Sequence, residues 1–147
     1  MRYLVIHVPN EPGALAKVTA AISDAGVNLS AATHIGSEPM ADLHILVKHP
    51  EATRRVLEPA GITVGEDREV VVIEAEDRPG VLADLARRVA DAGVNLDLVY
   101  VATGTRVVFG SDDMPALRAA LGVHEDEPAY AGAASPSEVD VEAGSLL

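Results

Sequence analysis

The chain has 147 residues, 48% hydrophobic and 23% charged, a balance that excludes a fibrous or wholly disordered polymer. Eleven Lys and Arg against 23 Asp and Glu leave a net charge of −12, which opposes phosphate neutralisation and argues against nucleic acid as a partner. Cysteine is absent, so disulfides and thiol catalysis are excluded, and no run approaches the roughly 18 apolar residues of a membrane helix.

In chain order, "RYLVIHV" from Arg2 is a β-branched run ended by a turn signal, which predicts a strand rather than a signal peptide. Tyr3 and Val5 share one face, Leu4 and Ile6 the other, so both faces need cover. After the turn "NEPG", Leu15, Val18, Thr19 and Ile22 recur at i, i+3, i+4 and i+7, the stripe of a helix lying on a sheet. Gly26 supplies the left-handed geometry that stops such a helix. Val27 to Ile35 and Ala41 to Lys48 then read as strands joined around "GSEP". A short helix opened by Pro50 follows, and "GITV" from Gly61 offers a fourth strand.

The same series recurs. "DAGVNL" stands at Asp24 to Leu29 and at Asp91 to Leu96, and ten of eighteen positions are identical between Pro12–Leu29 and Pro79–Leu96 at a constant offset of 67. That marks an internal duplication. The second copy reads "REVVVIEA" from Arg68, the turn "DRPG", a helix on Leu82, Leu85, Ala86 and Val89, strands Val94–Ala102 and Arg106–Ser111, and a helix with Pro115. Pro50 and Pro115 differ by 65, which suggests two residues lost from the second hairpin. "GVHEDE" from Gly122 is a poor fourth strand.

The order strand, helix, strand, strand, helix, strand with right-handed crossovers gives an α+β fold, the ferredoxin-like βαββαβ unit, its antiparallel sheet carrying helices on one face. The expected organisation is 1–66, 67–123 and an acidic, mobile tail 124–147, whose six acids meet no Lys or Arg. Units this small bury only about 60% of their unfolded surface, so association is expected, each bare sheet face meeting the other repeat or another chain.

Each Pro-Gly turn points unpaired helix N–H groups toward the strand edge, and glycine leaves room for close approach. A carboxylate could sit there, with its ammonium on the Asn10 or Asp77 oxygen; the same oxygen could instead cap the helix. Asn28 and Asn95 open the second strand of each copy, opposite its Pro-Gly turn, where they could support the turn or reach a ligand.

The pattern "N/D-x-P-G-x-L" opening an amphipathic helix, followed by "A-G-V-N-L", twice at one register over Met1 to Gly122, resembles the ACT domain, a small amino-acid-sensing module. The resemblance implies an amino acid held between paired domains by the Asx before the turn, the backbone after it and the entrance to strand two. On this chain those residues are Asn10, Gly13, Ala14, Leu15 and Asn28, with Asp77, Gly80, Val81, Leu82 and Asn95. It implies a regulatory rather than catalytic protein, a free amino acid as partner, a homo-oligomer, and a metabolic enzyme as a further partner class. The alternative is a ligand-free module that dimerises or docks on an enzyme.

Other constellations are weaker. His34 and His44 on adjacent predicted strands could face each other, but no further ligands stand at a metal spacing, so neither metal nor cofactor is expected. His7 ends the first strand beside the turn, where a surface role is expected. Asp112 and Asp113 precede a helix, where capping carboxylates belong. No GxSxG, GxxxxGK[ST], HExxH or GxGxxG motif occurs. The expectation from these readings is a non-enzyme, and a cytoplasmic location fits them.

Overall fold

The structure, a computed structural model, describes residues 1–124 and the backbone of 130–131. The expected mobility of 124–147 therefore concerns residues that, apart from His124, Tyr130 and Ala131, lie outside those described.

The first unit comprises β1 (Arg2–Pro9), α1 (Ala14–Asp24), β2 (Ala31–Ser37), β3 (Met40–Val47), α2 (Pro50–Leu57) and β4 (Thr63–Glu69), with one 3₁₀ turn at Glu58–Ala60. Its sheet has the order β2-β3-β1-β4 with every pair antiparallel. The second unit repeats the plan with β5 (Val71–Glu74), α3 (Val81–Asp91), β6 (Leu98–Ala102), β7 (Arg106–Gly110) and α4 (Met114–Leu121).

Four details differ from the sequence reading. Arg68 and Glu69 close β4, pairing with Tyr3 and Arg2, and only Val70 separates the two sheets, so "REVVVIEA" is not one strand. The second fourth-strand position is filled by β8 (Tyr130–Ala131), parallel to β5 in the order β6-β7-β5-β8. "GVHEDE" does not supply it within the described residues: Gly122 ends α4 at φ 73°, and Val123 donates back to the Arg118 carbonyl and turns into the core. Leu4 faces Ile45 whereas Val71 faces Phe109, so the second hairpin is three residues shorter, not two. The prolines misled because Pro50 is the first residue of α2 and Pro115 the second of α4.

The fourth difference concerns the helix stripes. Val18 and Ile22, and Leu85 and Val89, are buried as expected, but Leu15 and Leu82 are each 38% exposed. Ala14, Ala21 and Val81 pack on the cores instead, so each helix is rotated slightly from the predicted face.

Leu4, Ile6, Leu43, Ile45 and Val47 meet α1 and α2 in one core; Val71, Val107 and Phe109 meet α3 and α4 in another. A third core joins the bare sheet faces: Tyr3, Val5 and Leu46 of the first unit against Val70, Val72 and Val108, all at most 5% exposed. The neighbour covering each face is thus the other repeat, in a helix–sheet–sheet–helix stack. Tyr3 and Tyr100 meet across it, ring centroids 6.4 Å apart, and burial raises the pKa of both phenols.

At one edge Asp67 of β4 receives Arg2 Nε at 2.7 Å and Arg54 Nη2 at 2.8 Å. Burial alone would raise its pKa, but these bonds and charges hold it below the ordinary 3.8. A depressed carboxyl contributes stability that is present above its unfolded pKa and lost as pH falls through the folded value. Asp67→Asn is therefore expected to flatten part of the loss of stability below about pH 4, with little change in that slope at neutral pH, in denaturant melts across pH.

Candidate functional site

The two Pro-Gly turns have one geometry. Glu11 N–H bonds the Pro9 carbonyl and Ala14 N–H the Glu11 carbonyl; Arg78 N–H and Val81 N–H bond the Glu76 and Arg78 carbonyls. Gly13 at φ 90° and Gly80 at φ 88° are the helix N-caps, a conformation that side-chain-bearing residues rarely adopt. No atom lies within 4 Å of a Cβ added at Gly13, so it is the dihedral that demands glycine there. Neither helix has a side-chain cap, which removes the capping role considered for Asn10 and Asp77. The Asn10 side chain lies against Gly36 of β2, where an added Cβ would stand 2.8 Å from its Oδ1, and the Asn10 N–H donates to the Pro39 carbonyl.

Ala14 and Val81 begin the helices and pack inward; Leu15 and Leu82 stand exposed beside the turns. Asn28 and Asn95 are elsewhere. β2 begins at Ala31 and β6 at Leu98, so both asparagines lie in the connections ahead of the strands, not on them. Each lines a crevice at the far end of α1 or α3, about 16 Å along an 11-residue helix from the turn of its own unit. Within one unit the turn and the asparagine are not brought together. Across units, Arg106 at the hairpin end of the second sheet donates to the Ser30 carbonyl at 3.3 Å, beside the Asn28 connection.

The repeats differ in ionisable character at matching positions, a pattern that pairing the copies in sequence could have exposed. Glu11 and Lys17 correspond to Arg78 and Asp84. The cross-strand couple His7 and Asp42, 2.6 Å apart, corresponds to the register partners Glu74 and Arg106. Lys48 and His49 on the lip of the Asn28 crevice correspond to Asp112 and Asp113 on that of Asn95. Asp113 also caps α4, accepting from the Ala116 N–H at 3.0 Å.

His34 and His44 do not face each other: Thr33 is opposite His44 and His34 opposite Leu43, which puts the two imidazoles on opposite faces. His44 instead lies 2.5 Å from the Tyr3 hydroxyl. Among the described residues no cluster of three His, Cys, Asp or Glu could hold a metal, and no helix is long and apolar enough to cross a membrane.

A duplicated βαββαβ unit with a glycine-capped Pro-Gly turn in each copy defines a tandem repeat of the ferredoxin-like α+β class. The ACT domain profile matches residues 2–59 and 70–121, and the chain belongs to that family. Among solved structures it resembles protein BT0572 from Bacteroides thetaiotaomicron, with 25% identity and a TM-score of 0.75 over 82% of this chain and 85% of that one. It also resembles the regulatory subunit of aspartate kinase from Thermus thermophilus, with 21% identity and a TM-score of 0.61 over 82% and 89%. Aspartate kinase from Synechocystis matches with 22% identity and a TM-score of 0.57, over 86% of this chain but 26% of that longer one. No curated protein sequence matches the chain.

Proposed function

We propose that this chain is an amino-acid-binding regulatory protein that works by linkage rather than catalysis. The observation that carries the reading is the ACT match over both repeats, with the same glycine-capped turn built twice. The ligand site comprises Asn10, Gly13, Ala14 and Leu15 with Asn28, and Asp77, Gly80, Val81 and Leu82 with Asn95. Because a unit separates its turn from its own asparagine, a ligand touching both kinds of residue bridges two units. It then binds the assembled arrangement better, and shifts the equilibrium by no more than that difference.

A second reading has one observation in its favour. The outer strands β2 and β6 expose Ile35, Val99 and Val101, at 57%, 39% and 63%, which suits docking on another copy or on an enzyme without a ligand. A thermal-shift series over the twenty amino acids separates the two. A ligand at a hundredfold above its dissociation constant adds about 2.7 kcal/mol and raises the melting temperature. A flat series would leave the docking module standing and remove the sensor.

A further inference from the structure

We propose that the recess between α1 and the Ala60–Ile62 connection of the first unit receives an aliphatic α-amino acid, its ammonium on Glu11 and its carboxylate on Lys17. The second unit carries no equivalent receptor pair. The inference rests on the reading of the chain as an amino-acid binder and places one ligand on the β4 side of the first turn, away from Asn10.

The recess is open to solvent on one side and has a volume of about 200 Å³, which suits a small ligand such as a single amino acid. Its floor is apolar: Val8 and Val18 at 2% and 1% exposure, with Ala14, Ala60 and Ile62. Its rim carries His7, Glu11 and Lys17. His7 is engaged by Asp42. The side chains of Glu11 and Lys17 make no hydrogen bond or ion pair among the described residues, with each other or with anything else. An open carboxylate and an open ammonium over an apolar floor match the two charges and the side chain of a zwitterion. Inserted between them, the ligand gains two charge-assisted bonds, and its aliphatic chain leaves water.

The second copy is the internal control. Arg78 and Asp84, the counterparts of Glu11 and Lys17, bond each other at 2.7 Å, and Arg78 also holds Glu76 at 3.1 Å. Opposite charges at the same two positions there satisfy one another, leaving neither for a ligand. With both rim charges of the first unit taken by the ligand backbone and His7 taken by Asp42, a charged ligand side chain finds no counter-charge. Selectivity then follows the floor, about fourfold in affinity per buried methylene.

Calorimetric titration of the full chain with valine, leucine, isoleucine, alanine, aspartate, lysine, N-acetyl-leucine and leucine amide tests this. Branched aliphatic amino acids should bind best, with at least tenfold losses for the acetylated and amidated leucines. Glu11→Gln and Lys17→Met should each weaken leucine tenfold or more, whereas Arg78→Gln should not change it. The double variant Glu11→Arg with Lys17→Asp, which copies the closed pair of the second unit, should lose binding while keeping its melting temperature. Leucine binding unchanged in both single variants would overturn the location and leave the sensor reading intact. Preference for a charged amino acid would overturn the ligand class. Failure of every amino acid to bind would remove the sensor reading and this inference with it.

Discussion

Phe109→Ala is expected to cost about 3–5 kcal/mol, a large share of the roughly 5–15 kcal/mol that holds a domain together. Phe109 is fully buried in β7, between its ladder partners Val71 and Val99, and faces α3 and α4 in the second core. Truncation leaves a cavity that the surrounding sheet can only partly close. Its neighbours in sequence and across the ladder, Val108 and Val72, point the other way into the core between the sheets. Loosening β7 therefore reaches the first unit. Denaturant melts followed by hydrogen exchange should show protection falling at Ile6 of β1 as well as at Val107. Undiminished protection in β1 would mean that the units melt separately.

Leu46→Ala approaches the same coupling from the other side, with an expected loss of about 2–5 kcal/mol. Leu46 belongs to β3 of the first unit, yet its fully buried side chain packs in the layer formed with Val70, Val72 and Val108. It contributes to neither helix-backed core. A loss spread equally over amides of both units identifies the inter-sheet layer as shared stability, whereas a loss confined to β1–β4 would assign it to the first unit alone. Tyr3 and Tyr100, meeting across that layer, offer an optical probe of its opening.

Much of this arrangement is legible in the sequence because strand faces obey a strict period. Tyr3 and Val5 on one side, Leu4 and Ile6 on the other, divide between two cores as the alternation demands. What escaped is what periodicity does not encode. The prolines of α2 and α4 drift by one residue relative to their helix starts, so the ladder, not the proline spacing, reveals the three-residue difference between the hairpins. Leu15 and Leu82 satisfy a helical stripe on paper but stand at its edge once Ala14 and Val81 settle inward. Asn28 and Asn95 belong to the repeated motif, yet a whole helix separates each from the turn it was matched with. Sequence neighbourhood conveys register, whereas which units could share a ligand depends on how the sheets are stacked.

The single residue between the sheets has a further consequence. Val70 joins β4 to β5 while itself buried in the layer between the sheets. A tether this short presents each sheet to the other at an effective concentration of at least about millimolar order, far above the abundance of most free proteins. Contact between the two repeats thus does not respond to dilution or to expression level. Any response of this protein that scales with its own amount has to arise from contacts other than the one between its repeats, leaving the fused pair as the unit that is counted.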